Sequence, residues 1–167
     1  MYNKVSLFIV ALNLVLTSVQ GSTSYDFIEN VEIAAQNLGG INCLINAVGN
    51  LEDSVNDFTH DFDACHVRTT DDVRSILKNC ADLTDITRKI IMLNKRACKV
   101  TAYSSKDTTP VICGSLMKQL DGILTSTETS LNVSLPNTCS KMTAMKFNFK
   151  INKFKSFVAN CAKIAAA

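Results

Sequence analysis

Residues 70–101 read TDDVRSILKNCADLTDITRKIIMLNKRACKVT. The apolar side chains of this stretch are Val73, Ile76, Leu77, Cys80, Leu83, Ile86, Ile90, Leu93 and Ala97. They recur in steps of three and four, which lines them along one face of an α-helix. Thr70 suits the N-cap, Asp71 and Asp72 follow where the helix dipole favours negative charge, and Lys95, Arg96 and Lys99 sit where it favours positive. No Gly or Pro interrupts the run. The stretch predicts one long amphipathic helix with other helices packed over its apolar face.

The flanking segments repeat the pattern. Ser24 is placed to cap a helix whose stripe is Phe27, Ile28, Val31, Ala34, Ala35 and Leu38, with Gly39-Gly40 as the expected stop. A second helix is expected over 41–66, carrying Ile41, Leu44, Ile45, Val48, Leu51, Val55, Phe58, Phe62 and Cys65 on one side. Residues 104–109 read as a polar loop. Pro110 then suits the first position of a helix with Val111, Ile112, Leu116, Leu120, Ile123 and Leu124, expected to end near Thr125 before the TSTETS run. The last helix is expected over 140–165, with Met142, Met145, Phe147, Ile151, Phe154, Val158 and Cys161 inward. Its KFNFKIN segment also alternates as a strand would, but no second strand exists to pair with it, and an isolated strand is not stable in water. The expected fold is all-α: an up-and-down bundle of about five helices cross-linked by disulfides, as one domain over 22–167.

The first residues, MYNKVSLFIVALNLVLTSVQGS, set the expected compartment. Lys4 gives a positive start, an apolar run follows, and Val19-Gln20-Gly21 suits a cut after Gly21, the pattern of a secretory signal peptide over 1–21. The apolar run is too short to cross about 30 Å of hydrocarbon comfortably. A secreted, extracellular product is expected. Asn132-Val133-Ser134 is an N-glycosylation sequon, in keeping with a secreted glycoprotein.

Seven cysteines follow the leader: Cys43, Cys65, Cys80, Cys98, Cys113, Cys139 and Cys161. In an oxidising compartment they read as a disulfide framework. Cys43 and Cys65 are about 33 Å apart along one helix, as are Cys139 and Cys161, and Cys80 and Cys98 are about 27 Å apart. A disulfide needs Cα atoms within about 7 Å, so no bond forms within a helix. Helices that run up and down gather Cys43, Cys98, Cys113 and Cys161 at one end and Cys65, Cys80 and Cys139 at the other. The expected bonds are Cys98–Cys113, Cys43–Cys161 and Cys65–Cys80. Cys139 is left as the odd thiol, able to join a second chain in a covalent dimer, or replaces a partner of the last pair.

Charge is unevenly spread. Residues 22–67 hold eight acidic residues and no Lys or Arg, while 129–167 hold six lysines and no acidic residue. Lys146, Lys150 and Lys153 share a face of the last helix. Such a basic amphipathic helix can lie on an anionic membrane or bind a polyanion. The plainer reading is a packing helix whose lysines complement the acidic first third.

His60, Asp61, Asp63, Cys65 and His66 form the one cluster of metal-type ligands, but His60 and His66 are six apart and point to different sides of a helix. There is no Gly-rich phosphate loop, no G-x-S-x-G and no Cys-x-x-Cys. No catalytic constellation, metal site or cofactor is expected, and no nucleic-acid partner.

The layout of leader, helices and spaced cysteines from Ile41 to Cys161 is similar to the small secreted insect proteins that carry the tsetse EP-type domain. Insect odorant-binding proteins differ by their Cys-x-x-x-Cys pair, and saposins by Cys-x-x-Cys, neither of which occurs here. The seventh cysteine departs from the EP-type layout, and no functional residues carry over. The expected function is a secreted, disulfide-stabilised helical binding protein for a small apolar ligand or an extracellular protein. A membrane-surface or polyanion-binding role through the basic last helix is the alternative.

Overall fold

A computed structural model describes residues 23–97 and 109–167. The expected leader and Cys98 lie outside the described residues. Among those described, every regular element is a helix: α1 (Thr23–Ala34), α2 (Leu38–Ala64), α3 (Asp71–Ala97), α4 (Thr109–Leu131) and α5 (Thr138–Ala166). α2 lies between α3 and α5, α4 packs along α3, and α1 packs on α5 while also touching α4 and α2. The short α1 thus closes the ring of the four long helices at one end.

The apolar stripes explain why these residues pack this way. Every residue of the α2 stripe from Ile41 to Cys65 is buried, and so is the α3 stripe from Val73 to Leu93 except Leu77. Phe58 of α2 stacks on Phe147 of α5 with centroids 4.5 Å apart, and Phe62 lies 5.2 Å from Phe58. Phe27 of α1 lies 6.0 Å from Phe154 of α5. Burying one such ring contributes roughly 1.5–3 kcal/mol. The strand alternative for KFNFKIN fails because Phe147 and Ile151 are buried four residues apart within α5.

The first expected boundary is corrected. α1 ends at Ala34, and Gly39 and Gly40 belong to the first turn of α2 instead of stopping α1. Asn37 is extended and its side chain accepts from the Gly40 N–H at 2.9 Å, so the helix restarts there. Gly40 answers a close approach: a Cβ would lie 2.0 Å from the Ala34 carbonyl oxygen and 2.9 Å from the Ala165 Cβ. α3 does begin at the expected cap, with Thr70 Oγ1 accepting from the Val73 N–H at 3.3 Å.

Two stripes are turned from their expected faces. On α4 the buried residues are Cys113, Met117, Leu120, Asp121, Leu124, Thr127 and Leu131, whereas Val111 and Ile112 are exposed. The helix also runs on through TSTETS. Thr125, Thr127 and Thr129 donate to the carbonyls four residues back, at 2.7–3.0 Å, so these hydroxyls satisfy themselves inside the helix. On α5, Met142 and Met145 face solvent, and the inward face instead runs through Ser140, Thr143, Ala144 and Phe147.

Among the described residues the disulfides are Cys43–Cys161 and Cys65–Cys139, with Cα separations of 5.4 and 5.6 Å. The first is as expected. The expected Cys65–Cys80 bond is corrected to the stated alternative, in which Cys139 replaces Cys80 as the partner of Cys65 and is not free. Cys80 is the tenth residue of α3, about 14 Å beyond its start at 1.5 Å per residue, whereas Cys65 lies just past the end of α2. Cys139, at the start of α5, is the thiol that meets Cys65. Cys80 sits deeper, a buried free thiol on α3. Cys113 is a buried free thiol, and its expected partner Cys98 lies outside the described residues.

α2 and α5 are therefore joined at both ends. Each places its two cysteines 22 residues apart, close to six whole turns at 3.6 residues per turn, so both pairs share one contact face. Two asparagines complete the joint reciprocally. Asn37 caps the N-terminus of α2 and donates to the Ala165 carbonyl of α5 at 2.8 Å. Asn137 caps the N-terminus of α5 and donates to the Cys65 carbonyl at 3.2 Å. Each side chain satisfies an orphan N–H of one helix and an orphan C=O of the other.

Candidate binding surface on the C-terminal helix

The rigid α2–α5 joint fixes what α5 shows to solvent. Its inner stripe is used by the core, so its outer face is set by the remaining positions. These carry Met142, Met145, Phe149, Phe157 and Ile164, all 41–68% exposed. They account for half of the large apolar side chains that the described residues expose. An exposed apolar residue is ordinary when isolated, but a row of five along one helix is a surface feature in need of a partner.

Interleaved with this row are lysines. Lys155 is tied to Glu128 of α4, with Nζ–O distances of 2.8 and 3.0 Å. Lys141, Lys146, Lys150, Lys153 and Lys163 make no ion pair among the described residues. The Lys153 ammonium lies 5.7 Å from the centroid of the Phe157 ring. Lys146, Lys150 and Lys153 do share a face, as their spacing implies, and that face borders a groove between α2 and α5.

The groove has two sections. One, of about 370 Å³, is lined by Asp53, Asp57, Lys150, Lys153 and Phe157, with Leu51 and Phe154 beneath. The other, of about 110 Å³, is lined by Asp57, Asp61, Lys146 and Lys150, with Phe58 and Phe147 beneath. Asp57 and Lys150 line both. Across the groove no lysine comes within ion-pair distance of an aspartate. The acidic row was legible: Asp53, Asp57 and Asp61 are four apart and must share a face of α2. That it stands opposite the three lysines depends on the register of the two helices. Phe149, Phe157 and Ile164 were missed because the α5 stripe was drawn through Met142 and Met145.

A second concavity, of about 830 Å³, lies between α1 and α4. It is lined by Glu32, Ala35 and Gln36 on one side and by Val111, Gly114, Ser115, Lys118 and Gln119 on the other. Lys118 pairs with Glu32 at 2.9 Å across it.

The remaining candidates carry less chemistry. His60 is exposed on α2, 3.8 Å from the Asp61 carboxylate, and His66 lies beyond the helix end. No group of three or more His, Cys, Asp or Glu is placed to hold a metal among the described residues. Burial pushes the Cys80 thiol up to about 12 and the Cys113 thiol up to about 11, so neither is a nucleophile at neutral pH. Asn132 is exposed in the turn after α4, open to a glycosyltransferase. No family model, curated protein or solved structure matches this chain.

Proposed function

We propose that this chain is a secreted, disulfide-clamped helical protein that works by binding, and that its contact surface is the outer face of α5 laid on a phospholipid membrane. The observation that carries this reading is the exposed row Met142, Met145, Phe149, Phe157 and Ile164, interleaved with lysines on a helix free of acidic residues. An interfacial helix buries apolar side chains at the headgroup boundary and keeps its ammonium groups at the level of the phosphates. No helix among the described residues is long and apolar enough to cross a membrane, so the contact is peripheral. The leader-like first residues and the two disulfides support an oxidising, extracellular setting. Co-sedimentation with phospholipid vesicles tests the surface. Met145→Ser with Phe149→Ser should lower the bound fraction at least tenfold at an unchanged melting temperature. Undiminished binding by that variant would remove α5 from the proposal.

The cleft between α1 and α4 supports a second reading, a small apolar ligand. Its volume falls within the roughly 300–1,000 Å³ of small-molecule sites. A Cβ on Gly114 would meet nothing within 4 Å, so Gly114→Phe has room to fill the cleft. That variant should abolish binding of a fluorescent fatty acid that the parent protein binds. Equal binding by both would place the ligand elsewhere.

A further inference from the structure

We infer that the groove between α2 and α5 is a headgroup site that makes this surface prefer zwitterionic over purely anionic phospholipids. The inference rests on the membrane-contact reading of α5. Its ground is the two facing rows: Lys146, Lys150 and Lys153 on one wall, and Asp53, Asp57 and Asp61 on the other. A surface meant only for anionic lipid gains nothing from a carboxylate row beside its lysines, because those carboxylates repel the same headgroups. A headgroup that carries a phosphate and an ammonium matches both walls at once. The lysines take the phosphate, and the aspartates take the ammonium. The walls leave room for it, since no direct ion pair closes the groove. Phe157 adds a ring face at the groove edge that already holds one cation, the Lys153 ammonium. Quaternary ammonium groups are recognised by such faces. The larger section, about 370 Å³, is of a size for one small polar group. The groove also borders the exposed apolar row, so a lipid held there keeps its chains in the bilayer beside Phe149.

The experiment compares vesicles of phosphatidylcholine with vesicles of phosphatidylglycerol for the parent protein, Asp57→Asn and Lys150→Gln. Both substituted residues are exposed and line both groove sections. The parent protein should bind phosphatidylcholine at least as well as phosphatidylglycerol. Asp57→Asn should weaken binding to phosphatidylcholine about tenfold and leave or improve binding to phosphatidylglycerol. Lys150→Gln should weaken both. A choline-to-glycerol preference that Asp57→Asn leaves unchanged would overturn the headgroup site while the membrane reading stands. Failure of the parent protein to bind either vesicle would overturn both.

Discussion

Two antiparallel helix pairs of similar length are held together by different means. α2 and α5 carry both disulfides, the Phe58–Phe147 stack and the reciprocal asparagine caps. α3 and α4 carry the two buried free thiols and a polar contact. Asn79 of α3 donates to Ser130 Oγ at 3.0 Å and to the Ser126 carbonyl at 3.3 Å, and accepts from Ser126 Oγ at 3.4 Å. The difference follows chain connectivity. α3 and α4 are consecutive, so their connection already holds them close. α2 and α5 are separated by two whole helices, and the cross-links close stretches of 74 and 118 residues. Loop closure costs more entropy the longer the loop, so a cross-link stabilises most where the chain itself helps least.

The sharpest way to break this comparison is to remove the sulfurs in each half. Cys65→Ala with Cys139→Ala, or Cys43→Ala with Cys161→Ala, should each lower the free energy of unfolding by about 4 kcal/mol. Cys80→Ala with Cys113→Ala removes two buried sulfurs and should cost about 1 kcal/mol per site, roughly 2 kcal/mol together. Urea midpoints measure both. Equal losses in the two halves would show that the joint at α2 and α5 is no stronger than the rest of the bundle.

How far this contrast could be read from the chain depends on what each residue does locally. The α2 stripe and the α3 stripe apart from Leu77 were legible, because unbroken threes and fours of large aliphatic residues leave a helix one way to face inward. The gathering of Cys43 with Cys161 at one end and of Cys65 with Cys139 at the other was legible too, since a rise of 1.5 Å per residue forbids bonds along a helix. The partner of Cys65 was not, because it depends on which non-adjacent helix arrives at that end. The α4 face was misread because its inward line passes through Cys113 and Thr127, which a hydrophobicity pattern undercounts. Gly39-Gly40 was misread because a glycine needed for a close approach looks the same in sequence as one that ends a helix. The candidate surface was half legible: the lysines declare themselves by charge, but the acidic row opposite them requires the α2–α5 register.

The thiols give a pH-dependent version of the same comparison. Their folded pKa values, about 12 for Cys80 and about 11 for Cys113, lie above the ordinary thiol value of 9.0 because burial disfavours the thiolate. Folding then favours the protonated thiols. The stability they contribute is fully present below pH 9 and is lost as pH rises through the folded values. By pH 10.5 each thiol should remove about 2 kcal/mol that it contributed at pH 8. The readout is a difference between two proteins measured under the same conditions. The variant with Cys80→Ala and Cys113→Ala should lose correspondingly less stability between pH 8 and 10.5 than the parent protein. Parallel curves would show that neither thiol ionises on unfolding in that window.

The polar contact of the α3–α4 pair is worth less. Asn79 is buried and shares its amide among three partner atoms, so Asn79→Ala removes its bonds to Ser126 and Ser130, while the Ser130 hydroxyl keeps its bond to the Thr127 carbonyl. The cost should be about 1–2 kcal/mol. Asn79→Leu keeps the volume and should not recover it, because the hydrogen bonds from α3 to Ser126 and Ser130 stay lost. Recovery by Leu would show that the site contributes packing alone.

The smallest effect lies inside the clamped half and runs the other way. His66 follows the C-cap of α2 with φ of 49°, in the left-handed region. Its N–H donates to the Asp63 carbonyl at 3.0 Å, which closes the last turn of the helix. A residue with a Cβ pays roughly 1–2 kcal/mol for that backbone, and glycine would pay instead about 0.5–1 kcal/mol in the entropy of the unfolded chain. His66→Gly should therefore raise stability by about 0.5–1 kcal/mol. The gain should survive reduction of the disulfides, because it belongs to the helix end and not to the neighbouring Cys65–Cys139 bond. A loss of stability would mean that the imidazole holds a contact worth more than the strain of its own backbone, and that the α2 terminus is joined to the bundle by more than sulfur and asparagine.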